Sequence, residues 1–81
     1  MWKEGTIGVD ALSEDKPTVI CHYWMKYFEE GSEFGIDGGR ISKLCITVDG
    51  ETTLNYDRGW DIEPKDEATQ KAYAILLHEY N

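Results

Sequence analysis

Cysteine, proline and histidine are scarce in this chain, with two of each among 81 residues. The cysteines, Cys21 and Cys45, form no Cys-x-x-Cys pair, and neither has a histidine at a zinc-binding spacing. This pattern argues against a disulfide scaffold and against the common zinc folds. In a reducing compartment both thiols stay free and pack as small hydrophobic side chains. We therefore expect no metal and no cofactor.

Long apolar runs are also absent. No segment approaches the roughly 20 apolar residues that span a membrane. The first 20 residues contain neither a basic leader nor the apolar core of a secretion signal. We therefore expect a soluble cytoplasmic protein without membrane contact.

Basic residues are few, with 8 Lys and Arg against 16 Asp and Glu, which gives a formal charge of -8. Binding to a phosphate backbone requires clustered Lys and Arg, so this composition argues against direct DNA or RNA binding. The opposite role stays open, because an acidic protein can imitate DNA and inhibit a nucleic-acid-binding enzyme.

The length fits one small domain over residues 1–81, since no linker, repeat or low-complexity tract divides the chain. A chain of this size buries only about 63% of the surface that it exposes when extended. We therefore expect a thin core and marginal stability.

The hydrophobic pattern has period 2 as far as Trp60 and a period near 3.6 after it. Gly5 and Gly8 weaken the first strand and favour an edge position or a bulge. A polar stretch, Asp10 to Lys16, ends at Pro17, which suits the start of a strand. The predicted elements are strands at Trp2–Val9, Thr18–Glu30, Ile41–Val48 and Glu51–Tyr56, the loop Gly31–Arg40, and a helix at Lys65–Tyr80 with Pro64 in its first turn. The pattern predicts an α+β fold, a four-stranded antiparallel β-meander with one C-terminal α-helix packed on one face.

Asp49-Gly50 indicates a hairpin between the third and fourth strands. A three-residue loop with Gly50 in a bulge sets Leu44 opposite Leu54 and Ser42 opposite Tyr56. This register keeps one face apolar, whereas a two-residue loop sets Leu44 opposite Asn55. The sequence therefore favours the three-residue loop.

The second strand has two different faces. The core-facing side is continuous, and it carries Val19, Cys21, Tyr23, Met25 and Tyr27. The other side alternates large apolar groups with polar ones, and it carries Ile20, His22, Trp24, Lys26 and Phe28. One helix covers one face only, so Ile20, Trp24 and Phe28 are either shielded by the loop and lysine stems or open to a partner.

The loop Gly31–Arg40 contains four glycines, which invites a ligand-binding interpretation. It matches neither Gly-x-x-x-x-Gly-Lys nor Gly-x-Gly-x-x-Gly, and its acids repel anions. The calcium-loop spacing is absent.

His22 and His78 are isolated, and no nucleophile has an evident base beside it. We expect no catalytic residue and no enzyme, with a small ligand-binding or catalytic domain that uses this loop as an alternative.

The segment Tyr56–Asp61 combines charged and aromatic residues where the fourth strand ends. It is either a recognition site or a structural corner in which Gly59 permits the bend, Arg58 pairs with a nearby Asp, and Trp60 seals the helix against the sheet. Aromatic and Arg side chains in such settings are typical interface anchors.

The candidate interaction surface is Ile20, Trp24, Phe28, Phe34, Asp37, Arg40, Arg58 and Trp60. The sequence thus predicts a non-catalytic interaction module that binds an unknown protein partner or forms a weak homodimer.

Four stretches carry a family resemblance, and they are Met1–Thr6, Phe34–Leu44, Tyr56–Asp61 and Ala74–Asn81, with His78 and Glu79 in variable places. Here the chain resembles short uncharacterised proteins, a domain of unknown function, of Gram-positive bacteria and their phages. The resemblance implies a bacterial or mobile-element origin, a cytoplasmic location and a free-standing domain. It carries over no catalytic or binding residue.

Overall fold

An antiparallel sheet and one helix make up the regular structure of the described residues, 1–10 and 18–81, in this computed structural model. Neighbouring strands in the chain are neighbours in the sheet, so the order is β1-β2-β3-β4-β5. The elements are β1 (Trp2–Asp10), β2 (Thr18–Tyr27), a 3-10 turn (Ile36–Gly38), β3 (Ile41–Val48), β4 (Glu51–Asp57), β5 (Trp60–Ile62) and α1 (Glu67–Tyr80). The predicted polar connection and the start of a strand at Pro17 fall largely on residues 11–17, outside the described part.

The sheet has five strands, so the prediction of four is wrong. The chain turns back at Arg58-Gly59, and Trp60 then lies opposite Tyr56 on β4. Arg58 occupies the left-handed region with φ 59°, whereas Gly59 does not, so the bend depends on Arg58 rather than on Gly59. The Arg58 N–H donates to the Ser42 carbonyl (3.0 Å) and anchors the turn to β3. Three residues are too few to show an alternating pattern, which is why the sequence did not reveal β5.

The β3–β4 turn has two residues rather than the predicted three. Val48 lies opposite Glu51, and both turn residues have positive φ, 52° at Asp49 and 80° at Gly50. Two left-handed residues give the primed turn whose twist matches that of antiparallel strands.

A bulge in β4 then restores the apolar face. Thr53 has no opposite residue, and beyond it Leu54 lies opposite Ile46 and Tyr56 opposite Leu44. The predicted pairs of Leu44 with Leu54 and of Ser42 with Tyr56 are therefore wrong, although the same side of both strands is buried. An extra residue in one strand shifts its alternation by one, so a short turn and a bulge together satisfy the hydrophobic pattern.

The helix α1 covers one face of the sheet and closes the core. The period near 3.6 after Trp60 predicts an apolar stripe of Ala68, Ala72, Tyr73, Leu76, Leu77 and Tyr80. This stripe is confirmed, because Ala72 and Leu76 are fully buried and the other four residues are partly buried. The buried hydrophobic residues are Val9, Cys21, Tyr23, Met25, Ile36, Ile41, Leu44, Ile46, Leu54, Tyr56, Ala72 and Leu76.

The helix begins two residues later than predicted. Asp66 is the N-cap, and its carboxylate accepts the Thr69 N–H at 2.8 Å. Pro64 lies before the helix, where its carbonyl accepts from the Gln70 side chain at 3.2 Å. A carboxylate that satisfies a free N–H at the positive end of the helix outweighs the preference of Pro64 for the first turn.

The predicted edge position of β1 is correct, whereas the predicted end of β2 is not. The edge position of β1 is confirmed, and Gly5 lies directly under Tyr23, whose hydroxyl would be 2.9 Å from a Cβ at that position. However, β2 ends at Tyr27 rather than at Glu30. A register shift after Lys26 redirects the chain, and the Phe28 N–H then donates to the Arg40 carbonyl at 3.0 Å.

Leu76→Ala should destabilise the fold by about 2–5 kcal/mol, because it leaves a cavity between α1 and the sheet. Chemical denaturation measures this change. The neighbouring Ile75→Ala is the matched control, since Ile75 is 44% exposed and a surface change of this kind costs less than about 0.5 kcal/mol. Equal effects of the two substitutions would show that another face of α1 is buried.

Candidate interaction surfaces

The sheet face opposite α1, called the outer face below, is open to solvent. Ile20 is 50% exposed, Trp24 37% and Phe28 44%. The loop Gly31–Arg40 does not shield them, because it folds toward the helix side and buries Ile36 in the core. Of the two alternatives for this face, cover by the loop is therefore wrong.

A lysine joins the aromatic side chains of the outer face. The Lys26 ammonium lies 5.4 Å from the centre of the Phe28 ring and 5.7 Å from that of the Trp2 ring. The Trp24 ring stacks on His22 with 6.4 Å between ring centres. Cation–π contacts at exposed sites hold the rings in place without hiding them from solvent.

Trp2 belongs to the outer face, although sequence reasoning did not select it. It lies opposite Lys26 and is 66% exposed, more than any of the selected apolar residues. The signal was present in the alternation of β1: Ile7 and Val9 point into the core, so every even-numbered residue of the strand points outward.

Acidic side chains outnumber basic ones on the outer face. Lys43 pairs with Asp57 at 3.6 Å, and Lys26 and Glu4 add one charge of each sign. Asp10 also points outward from β1, and the Asp61 carboxylate accepts a hydrogen bond from the outer-face Asn55 at 3.1 Å. The face therefore has a small acidic excess, and most of the charge of -8 lies in other parts of the molecule.

The remaining selected residues form a second group on the helix side. The Arg58 guanidinium lies 5.6 Å from the centre of the Phe34 ring, in place of the predicted ion pair with an Asp. Trp60 makes edge contacts with Tyr56 (5.1 Å) and with Tyr73 of α1 (5.6 Å). Trp60 thus joins the helix to the sheet, as the structural interpretation of this corner predicted.

Asp37 and Arg40 also belong to the helix side. The pKa of the Tyr73 hydroxyl is raised, first by burial and then by the negative charge of Asp37. The Arg40 guanidinium lies 5.9 Å from the centre of the Tyr27 ring, and that ring packs on Tyr80 at 5.2 Å. The eight selected residues are therefore divided between two sides of the sheet and do not form one surface.

The amides of the Gly-rich loop are used within the loop itself. Gly35 N–H donates to Ser32, Gly38 N–H to Gly35, and Gly39 N–H to Ile36, with distances of 2.8–3.1 Å. The Ser32 N–H donates back to Gly39 at 3.1 Å. A Cβ on Gly35 would collide with the Gly39 carbonyl. The glycines thus allow the backbone to approach itself closely, which explains their number without a ligand.

Asn81 attaches this loop to the end of α1. Its side-chain oxygen accepts the Ile41 N–H at 3.0 Å, and its side-chain nitrogen donates to the Ile36 carbonyl at 3.0 Å. Its backbone N–H donates to Leu77 at 3.1 Å and ends the helix. Gly39 leaves room for this amide, because a Cβ there would collide with the Asn81 side chain.

Both cysteines are free, and burial raises the pKa of each thiol. The negative charge of Asp66 acts in the same direction at Cys21, whereas a hydrogen bond with Thr52 opposes the shift at Cys45. The Cys21 thiol also lies 3.9 Å from the Ala68 carbonyl. The neutral thiol is a poor nucleophile, and Cys21 packs in the buried core, whereas Cys45 is only partly buried.

Two further observations concern residues 1–10 and 18–81. Within these ranges no three His, Cys, Asp or Glu side chains are grouped closely enough to hold a metal ion. No helix in the same part of the chain has the length and apolar character needed to cross a bilayer.

The five-stranded meander with its single covering helix defines a small α+β sheet protein with one open face. The chain belongs to the DUF7678 family, described as a domain of unknown function, whose model matches residues 1–81. The family of unknown function that the sequence resembles is thereby confirmed. No curated protein and no solved structure matches the chain.

Asn81→Ala should destabilise the fold by about 1–3 kcal/mol, since the part-buried Ile41 N–H and Ile36 carbonyl lose their partner. Denaturant unfolding measures the loss, and amide exchange at Ile41 should become faster. Glu79→Ala, an exposed change in the same helical turn, is the control. An unchanged unfolding midpoint in Asn81→Ala would show that the bridge contributes nothing.

Proposed function

We propose that this protein is a non-catalytic interaction module that binds a partner protein through the outer face. The observation that carries the proposal is the row of exposed large side chains on an uncovered sheet face, with Trp2 66%, Ile20 50%, Phe28 44% and Trp24 37% exposed. Exposed large apolar side chains concentrated on one face and interspersed with polar ones are typical of protein contact sites. Trp is also among the residue types that most often dominate binding energy.

The size of the outer face is at the lower end of a standard interface. The five strands have nine, ten, eight, seven and three residues, each about 3.3 Å along the strand and about 4.8 Å across it. The face thus offers on the order of 600 Å², near the lower limit of what one partner contributes to a standard protein interface.

The chemistry of the outer face favours a partner whose own contact surface is largely apolar and carries a few basic groups. The face has two basic residues, Lys26 and Lys43, and four acidic ones, Glu4, Asp10, Asp57 and Asp61. It is therefore weakly acidic and would attract basic groups only weakly. Rings that Lys26 already orders lose little side-chain freedom on binding. We place this interaction in the cytoplasm of a bacterium or one of its mobile elements, in line with the family resemblance.

The absence of catalysis is part of the proposal. His22 stacks on Trp24 on an open face, and His78 is exposed in the last turn of α1, so neither is in an enclosed site. The two thiols favour their neutral form. General acid–base chemistry requires groups that converge on a substrate, and these groups are dispersed.

Trp24→Ala should weaken partner capture at least tenfold while leaving the fold stable, because Trp24 is at the centre of the outer face. Affinity capture from a bacterial lysate, with the partner then identified and titrated, measures the effect. Ile75→Ala removes an exposed apolar side chain on the helix side and serves as the control. The proposal fails if Trp24→Ala costs about 3 kcal/mol or more in stability and the captured proteins stay the same.

Duplex DNA should leave the amide spectrum unchanged at moderate salt, because eight basic residues are dispersed among sixteen acidic ones. An NMR titration with duplex DNA measures this. Salt-dependent shifts that cluster on one surface would contradict the expectation. Capture of nucleic-acid enzymes in the lysate experiment would instead favour the DNA-mimic alternative.

A further inference from the structure

The first strand has a free edge whose hydrogen-bonding groups can be assigned. Met1 and Tyr27 exchange both backbone hydrogen bonds, at 2.8 and 2.9 Å. The β1–β2 register continues from this pair without interruption through Asp10. Antiparallel strands alternate between bonded and non-bonded pairs, so the residues that bond β2 are odd-numbered. The N–H and C=O groups that point away from the sheet belong to Trp2, Glu4, Thr6, Gly8 and Asp10.

Apart from the charged side chains of Lys3, Glu4 and Asp10, β1 lacks the usual edge protections. The strand has nine residues, no proline and no bulge, and no other strand among the described residues pairs on its outer side. The opposite edge, β5, has only three residues. Long regular edges are templates for pairing with another chain, whereas very short ones are not.

We propose that a second copy of this chain pairs with β1 in antiparallel orientation, with Thr6 of each copy on the two-fold axis. This goes beyond the proposed function, because it uses the strand edge instead of the outer face and has a different occupant. In this register Glu4 is opposite Gly8 of the copy and Trp2 is opposite Asp10. Every residue with outward-pointing groups therefore meets another such residue, and each donates and accepts one hydrogen bond.

The side chains favour this register over its neighbours. Glu4 meets a glycine and Lys3 meets Val9, so no like charges are opposed. A shift by two residues in one direction sets Glu4 opposite Asp10, which is repulsive, and a shift in the other direction leaves Asp10 without a partner. The strand is thus complementary to itself, as a two-fold contact requires.

The helix side adds apolar surface to this contact. Ile75 is 44% exposed, and with Ala74 it lines a groove beside Val9 at the β1 edge. A two-fold axis perpendicular to the sheet puts both helices on the same side of the joined sheet. Because Val9 is opposite Lys3 of the copy, the Ile75 flank of one helix then faces the copy's Lys3 and the Tyr80 ring beside it.

Light scattering over a concentration series tests the proposal, with Thr6→Lys and Thr6→Val as the variant and its control. In the wild type we expect a reversible dimer. Thr6→Lys sets two positive charges face to face on the axis and should raise the dimer dissociation constant at least tenfold. Thr6→Val keeps the backbone groups and the shape, so its dimer should persist. Thr6→Pro, which removes an outward N–H and spares the β2 bonds, should also be monomeric.

Amide exchange distinguishes the edge from the outer face. In the dimer the Thr6 and Gly8 amides should be protected, and this protection should decrease on dilution, while the Ile7 amide stays protected throughout. A wild type that remains monomeric at millimolar concentration, with fast exchange at Thr6, overturns the proposal. A dimer that survives Thr6→Lys but is lost in Trp24→Ala also overturns it and assigns self-association to the outer face. The edge proposal and partner binding by the outer face thus fail independently.

Discussion

The packing of α1 onto one face of the sheet is the contact on which the rest of the molecule depends. Leu76 and Ala72 share one buried core with Met25 and Leu44, and no second layer backs the sheet in the described residues. Because one helix covers only one face, the opposite face stays open. The Gly-rich loop closes the same core from the side, so its backbone is tied to the helix end through Asn81.

The periodicity of hydrophobic residues predicts the strands, the helix and their buried faces, because burial of one face requires an apolar residue at each turn or at alternate positions. The two faces of β2 and the stripe on α1 follow from spacing alone. The hairpin register does not follow from spacing, because two arrangements bury the same side of the strands. One is a two-residue turn with a bulge at Thr53, and the other is a three-residue loop. Likewise the bend before β5 depends on Arg58 in the left-handed conformation, whereas the sequence predicted that Gly59 would permit it. Several local solutions satisfy one hydrophobic pattern, so the pattern does not select among them.

The candidate surface was predictable only where its residues lie in strands. Ile20, Trp24 and Phe28 follow the alternation of β2 and its continuation, and the same rule applied to β1 would have added Trp2. The loop and corner residues have no such rule. Irregular backbone has no period, so only the fold shows that Phe34 and its neighbours turn toward the helix.

The shortness of β5 has a consequence for how such a sheet can grow. A sheet with two long free edges adds copies at both, and repeated addition gives an open fibril. Here the far edge is short and irregular, because β5 has three residues and the start of β4, which β5 leaves unpaired, contains the bulge at Thr53. Trp60 of β5 also contacts Tyr56 and Tyr73. Strand addition at this end would have few hydrogen bonds to gain. Strand addition at the β5 edge is therefore disfavoured. A sheet that can add copies at one edge only stops at a pair and does not grow into a fibril.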